Sequence, residues 1–247
     1  MNKIKTVGIS ASKSGKFIHK FFLKLSVRLA GAKPIILKHD EPEVLDTCDA
    51  FIIGGGTNVN PKVYGEKPET VEDKRPWRVR FFEKIWYPTV GFGVTDGSSV
   101  SHAYDDSRDK FEIELIKSAD VHKKKILGIC RGHQLINACS GGKLTQSLLP
   151  VLKNQMQIQS PLPRKPIKVV KGTLLHKVTE SNEFLVNSLH AQFVSKLGKD
   201  LVASSHDAKG LIQSCENSTK RLIGCQWHPE YMIHKPVRKR LFKWLVS

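Results

Sequence analysis

Apolar positions in this chain come in short blocks, and the blocks alternate between two periods. Lys5–Ile9 reads as a strand. Phe17 to Leu29 reads as an amphipathic helix with Phe17, Phe21, Leu25 and Leu29 near one face, stopped by Gly31. Pro34–Leu37 is the next strand, a short helix is expected at Val44–Thr47, and residues 49–53 form another strand. Asp109 to Ala119 is helical, with Phe111, Leu115 and Ala119 on one stripe. The run Ile126 to Ile129 is a buried strand, and a helical pattern follows it as far as Gly141-Gly142, a C-terminal stop. The second half is strand-rich, with short candidates at Ile167–Val170, Glu183–Val186, Leu201–Ser204, Leu211–Ser214 and Leu222–Gln226. A basic amphipathic segment, Val237 to Val246, is read as a terminal helix docked on the sheet rather than lying on a membrane surface.

A βαβα order of this kind predicts an α/β fold. The central sheet is mostly parallel and flanked by helices, and extra short strands lie in the second half. Loops at the C-terminal ends of the parallel strands are where ligands bind in such sheets. The 247 residues are read as one domain spanning 1–247, long enough to bury a core without staples.

Composition removes several classes of function. No apolar stretch reaches the roughly 18 residues of a membrane span. The N-terminal Met1–Ile9 segment lacks a signal-peptide core, so a cytosolic (cytoplasmic) protein is expected. Five cysteines at irregular spacing fit neither a disulfide framework nor a zinc site, and Cys48, Cys139, Cys215 and Cys225 are read as small core residues. No metal-ligand constellation is visible, and neither a metal nor a cofactor is expected. The net charge of +17 is high. Its clusters, at Lys123–Lys125, Arg164–Lys171 and Lys235–Lys243, come without any nucleic-acid-binding signature, so a solvated basic surface is favoured over a nucleic-acid partner.

The candidate chemistry lies in three separated places. Cys130 sits between Gly128 and Gly132, where the strand passes into the helix. That is the pattern of a nucleophile elbow with sulfur in place of the serine oxygen; the tight turn requires small residues two before and two after. The helix N-terminus also favours a thiolate there. Far downstream, His228-Pro229-Glu230 places a base and a carboxylate two residues apart around a proline, so Glu230 can fix the tautomer of His228. The result is a Cys130–His228–Glu230 triad. Upstream, a strand runs into Gly54-Gly55-Gly56, whose N–H groups can face an anion. One oxyanion donor is assigned to the Gly55 or Gly56 N–H and the other to the Arg131 N–H.

These segments also carry a resemblance. Gly-Ile-Cys-Arg-Gly-His-Gln-Leu-Ile-Asn at 128–137, with Gly-Gly-Lys-Leu-Thr-Gln after it, resembles the class I glutamine amidotransferase domain. It is most similar to the peptidase C26 branch that contains gamma-glutamyl-gamma-aminobutyrate hydrolases. Gln-Trp-His-Pro-Glu at 226–230, Gly-Gly-Gly-Thr-Asn-Val-Asn-Pro-Lys-Val-Tyr-Gly at 54–65 and Val-Asn-Ser-Leu-His-Ala-Gln at 186–192 are similar to further segments of that family, in its order. The resemblance implies a flavodoxin-like class I glutamine amidotransferase architecture. It also implies cysteine-dependent hydrolysis of a gamma-glutamyl amide, either glutamine or a gamma-glutamyl-amine. The reaction would pass through a thioester and release glutamate and an amine. By the same resemblance, Gln134, Ser188, His190 and Gln192 help to hold the glutamyl group. His133, which has no role in that scheme, is expected to point along the helix surface. Asn58, Asn60 and the Lys209–Gln213 stretch depart from the family's more acidic pattern and leave the leaving amine unassigned.

The expected partner is therefore a small-molecule gamma-glutamyl substrate, with a homodimer left open. The alternative is a glutaminase component that supplies ammonia to a separate synthetase partner, since 247 residues leave no room for a fused one. A non-enzymatic binding protein on an inactivated scaffold is disfavoured by the complete triad. Between the Tyr-Gly segment and a helix start at Arg108-Asp109-Lys110-Phe111-Glu112, the chain makes an aromatic-rich detour at about 66–107. Two readings stand for it: a lid over the pocket with a short helix near 77–87, or an aromatic patch away from the site.

Overall fold

The structure, a computed structural model, describes residues 4–12, 17–40, 46–68, 104–146, 160–190, 192–219 and 221–247. The strands are β1 (Thr6–Ser10), β2 (Lys33–Ile36), β3 (Ala50–Ile53), β4 (Lys125–Ile129), β5 (Lys143–Thr145), β6 (Ser160–Val169), β7 (Glu183–Ser188), β8 (Phe193–Lys196), β9 (Val202–Asp207), β10 (Ile212–Asn217) and β11 (Leu222–Cys225). The α-helices are α1 (Phe17–Leu29), α2 (Asp106–Val121), α3 (Arg131–Cys139), α4 (Leu174–Thr179) and α5 (Pro236–Val246). Short 3-10 turns occupy Pro61–Tyr64 and Pro229–Tyr231.

Among the described residues, nine strands form one sheet in the order β2-β1-β3-β4-β11-β10-β9-β6-β7, and β5 pairs with β8 separately. From β2 to β11 every pairing is parallel, whereas from β11 to β7 every pairing is antiparallel. The α/β architecture with a parallel centre and added strands in the second half is thus as the periodicity predicts.

Side chains alternate across the parallel strands, and each face has its own core. Ala50 and Ile52 of β3, with Leu127 and Ile129 of β4, pack with Leu23 and Val27 of α1 and with Leu241, Phe242 and Leu245 of α5. Phe51, Ile53 and Ile126 face the other way, against Phe111, Leu115 and Ala119 of α2 and Leu135 and Ile136 of α3. Sheet strands buried on both sides read as continuous apolar runs for this reason. The terminal helix is docked, as expected.

Several expectations need correction. On α1 the buried stripe is His19, Leu23, Ser26 and Val27, whereas Phe17 is 83% exposed and Phe21 47%. Two polar residues on the inward face hid the true stripe. His133 is not on the helix surface; it is fully buried, with Nδ1 3.3 Å from Cys215 Sγ, and burial pushes its imidazole down to about 3. Cys139 is exposed rather than a core residue, while Cys48, Cys215 and Cys225 are buried; all five thiols are free. β6 begins seven residues before the expected Ile167, because Pro161, Pro163 and Pro166 argue against a strand there. A register shift between Ser160 and Lys165 accommodates them.

Of the short helix expected at Val44–Thr47, Asp46 and Thr47 form a turn, and Val44 and Leu45 lie outside the described residues. Most of the aromatic detour, with the helix expected near 77–87, likewise falls at residues 69–103, outside the described residues. Three elements were not anticipated. β5 and β8 are only three and four residues long. α4 has six residues and is held by tertiary contacts: Thr173 caps it, and the Glu216 carboxylate accepts its Leu174 and Leu175 N–H groups.

Candidate active site

Three neighbouring parallel strands deliver the three sequence-predicted pieces to one level. Ile53 at the end of β3 is in register with Gly128 of β4, and Cys225 at the end of β11 with Ile129. The next residues are therefore Gly54–Gly56 from β3, Cys130 from β4 and Gln226–His228 from β11. The Cys130 N–H donates to the Cys225 carbonyl at 2.7 Å, which ties two of these exits together.

Cys130 precedes α3 with φ 51° and ψ −101°, a conformation that non-glycine residues avoid. Holding it there costs about 1–3 kcal/mol, which the surroundings must offset. The flanking glycines make the elbow sterically feasible. A Cβ on Gly132 would lie 2.1 Å from the Ile53 carbonyl oxygen, and one on Gly128 would lie 2.5 Å from Ile136 Cδ1.

His228 Nδ1 lies 2.7 Å from Glu230 Oε1, and both residues are buried. Burial alone would push the imidazole down, but the Glu230 carboxylate and the Cys130 sulfur outweigh it and raise His228 to about 10. Burial likewise disfavours the Glu230 anion, yet His228 and His19 hold it down at about 2. Tyr231 stacks on the His228 ring at 5.3 Å and 24°. Asn187 clamps the base from behind: its Oδ1 accepts the His228 N–H and its Nδ2 donates to the His228 carbonyl, both at 2.8 Å.

Gly55 abuts this pair. A Cβ there would meet His228 Cε1 at 2.7 Å and Cys130 Cβ at 3.6 Å, so the glycine turn, the thiol and the imidazole lie directly against one another. Gly56 has φ 146° and packs against the Arg108 guanidinium. Arg131, the first residue of α3, is fully buried; its side chain pairs with Asp109 and Glu112.

The amide residues form a chain behind the sulfur. Gln226 Nε2 donates to Cys130 Sγ at 3.7 Å, and Gln134 Nε2 reaches Gln226 Oε1 at 3.2 Å and the Gln192 carbonyl at 2.9 Å. His190 Nδ1 lies 2.9 Å from that same carbonyl. Burial, with Lys165 nearby, pushes His190 down to about 3, so the ring is neutral. Gln134, His190 and Gln192 are thus brought together beside Cys130. Ser188 is buried at the end of β7, opposite Ser160.

Sequence reasoning missed several neighbours. His19 on α1 places Nε2 3.2 Å from Glu230 Oε1. His19, His228 and Glu230 present ligand atoms within 4.8 Å of one another, the one such group among the described residues. A metal there would compete with the bond from His228 to Glu230. No sequence signal links His19 to a motif at the opposite end of the chain. Gln226 and Asn187 stood inside the quoted motifs but had no expected role. Asn60 accounts for its own departure from the acidic pattern: its Nδ2 donates to Asp106 Oδ1 at 2.7 Å, a contact that aspartate would replace by repulsion.

Comparison with known proteins bears on family and fold. The Peptidase C26 family model matches residues 4–81 and 92–230. YvdE, a glutamine amidotransferase-like protein of Lactococcus lactis, is 33% identical over 208 residues, covering 81% of this chain and 75% of that one. The gamma-glutamyl-gamma-aminobutyrate hydrolase PuuD of Escherichia coli is 25% identical over 219 residues, covering 82% and 74%. A glutamine amidotransferase structure from Thermotoga maritima shares the fold with a TM-score of 0.57 at 15% identity, covering 99% of this chain and 97% of that one. Among the described residues no helix is long and apolar enough to cross a membrane. With most of its length matched by the family model, and with a relative above 30% identity, the chain belongs to the Peptidase C26 family, a family of glutamine amidotransferase-like and hydrolase enzymes.

Proposed function

We propose that the protein hydrolyses a gamma-glutamyl amide with Cys130 as nucleophile, His228 as acid and base, and Glu230 as the group that orients His228. The observation that carries this reading is the buried 2.7 Å contact from His228 to Glu230 beside a cysteine held at positive φ. The strained elbow presents the sulfur, and the paired imidazolium supplies the countercharge for a thiolate.

The thiolate attacks the carbonyl carbon of the side-chain amide, forming a C–S bond and an oxyanion. The Arg131 N–H and the Gly55 or Gly56 N–H receive that oxyanion. Collapse breaks the C–N bond, and the His228 proton goes to the departing amine. Water then gives a proton to His228 and attacks the thioester. The C–S bond breaks, glutamate leaves and the thiolate is restored. Gln192 Oε1 is buried without a hydrogen-bond partner among the described residues, which suits an acceptor for the substrate's α-ammonium group. Ser188, His190 and Gln134 complete that side of the pocket.

Glutamate release from glutamine, gamma-glutamyl-gamma-aminobutyrate, gamma-glutamyl-putrescine and short poly-gamma-glutamate tests the reading. Turnover should exceed that of Cys130→Ala by ~10^4 or more on at least one of them, with the variant folded as wild type. A gamma-glutamyl-amine preferred over glutamine marks a stand-alone hydrolase. Glutamine alone, accelerated by a second protein, marks an ammonia-supplying component. Turnover retained in Cys130→Ala would overturn the assignment.

A further inference from the structure

Beneath the glycine turn lies a buried group of four charges that the catalytic scheme does not use. Arg108 and Glu112 are fully buried, Arg131 and Asp109 nearly so. Arg108 Nε donates to Glu112 Oε1 at 2.7 Å. Arg131 bridges Glu112 Oε2 and Asp109 Oδ1. The Ser10 hydroxyl donates to Glu112 Oε1 at 2.5 Å, and the Asn60 N–H donates to Asp109 Oδ2 at 3.1 Å. Two cations and two anions balance, and every carboxylate oxygen has a donor. A set of apolar side chains would often fill such a space at equal or better stability, so balance alone does not explain four buried charges.

The remaining donors of Arg108 point to a use. Its Nη2 donates to the Gly54 carbonyl at 2.8 Å and its Nη1 to the Gly55 carbonyl at 3.2 Å. In a trans peptide the C=O of one residue and the N–H of the next point in opposite directions. Fixing the Gly54 carbonyl therefore fixes the Gly55 N–H, and fixing the Gly55 carbonyl fixes the Gly56 N–H, each directed away from the guanidinium. Glycine offers little torsional resistance to peptide rotation, so a turn of three glycines does not hold such an orientation by itself. Glu112, which anchors Arg108, also anchors Arg131, whose own N–H directly follows Cys130. One carboxylate thus joins both sides of the site.

We infer that Arg108, anchored by Glu112, is a positioning residue that fixes the peptide planes of the glycine turn so that its N–H groups receive the oxyanion. The role rests on the hydrolytic reading above. Arginine suits it because one planar fork serves two successive carbonyls and a carboxylate. Lysine keeps the charge but is a point donor.

The test uses the full chain as wild type, Arg108→Lys and Glu112→Gln. It measures kcat and KM on the substrate that wild type turns over. It also follows alkylation of Cys130 by iodoacetamide, by mass of the Cys130 peptide, since this substitution develops no oxyanion. Arg108→Lys should lose about 10^2–10^3 in kcat, with KM and the alkylation rate unchanged. Undiminished kcat overturns the role, as does a parallel fall of kcat and alkylation, which marks general damage to the elbow. If Arg108→Lys does not fold by circular dichroism, Glu112→Gln decides by the same criterion. A wild type that releases no glutamate from any substrate overturns the hydrolytic reading and this role together. An active wild type with an unaffected Arg108→Lys overturns this role alone.

Discussion

The two arms of the site are held by different chemistry. On the nucleophile side, Arg131 and the glycine turn are fixed by buried ions: Arg108, Asp109, Glu112 and Arg131 itself. On the base side, His228 and Cys130 are backed by neutral amides: Asn187 on the His228 backbone, and Gln226, Gln134 and Gln192 in a chain from the sulfur. The ionic arm supports groups whose direction matters, because charge-assisted hydrogen bonds from a rigid planar guanidinium are strong and directional. The amide arm surrounds Cys130 and His228 with groups that do not titrate. Neutral dipoles support such a pair without adding a competing titration.

The comparison breaks most sharply at Arg131. Arg131→Met leaves Asp109 and Glu112 buried without their shared cation and should destabilise the fold by about 3–5 kcal/mol in urea unfolding. A loss below about 1 kcal/mol would mean that the ions are not a unit. The corresponding cut on the amide arm is Asn187→Ala, which removes two backbone partners of His228. It should cost about 1–3 kcal/mol by the same measurement. That cost should be the same at about pH 5 and about pH 8, because the amide does not titrate.

A further effect sharpens the comparison through pH. His228 is raised from its ordinary 6.5 to about 10, so its stabilising contribution is complete below pH 6.5 and disappears as pH rises through about 10. Glu230 is lowered from 4.5 to about 2, so its contribution is present above pH 4.5 and disappears as pH falls through about 2. Thermal melts across pH should show both limbs in wild type, and Glu230→Gln should flatten them. An unchanged alkaline limb in Glu230→Gln would show that another group titrates there.

The parallel half of the fold was legible because β1, β3 and β4 are apolar on both faces, and a short run of that kind has few other uses. The elbow was legible because Gly128 and Gly132 answer a steric demand that acts within one turn of chain. The His228–Glu230 contact was legible because Pro229 places the two residues in a local motif. The supporting contacts depend on tertiary structure. His19 meets Glu230 only once α1 has docked, and its place on the inward face of α1 made the helix look oriented the other way. Arg108 and Glu112 read only as part of a helix start, since charge in sequence carries no mark of burial. Gln134, His190 and Gln192 were singled out only through resemblance, and Gln134 and His190 both contact the Gln192 carbonyl.

The register of β4 against β11 also bears on when the protein becomes competent. Cys130 and Gln226 are 96 residues apart in sequence, yet their strands are direct neighbours. Until β11 has been synthesised, β4 is an edge strand with one open side that leads into the elbow, the kind of edge that pairs readily with other chains. Pairings of such long range also form slowly, because loop closure precedes any gain from contact. Ribosomal synthesis therefore yields Cys130 well before His228, and the last strand to enter the parallel sheet brings His228 in as it covers that edge.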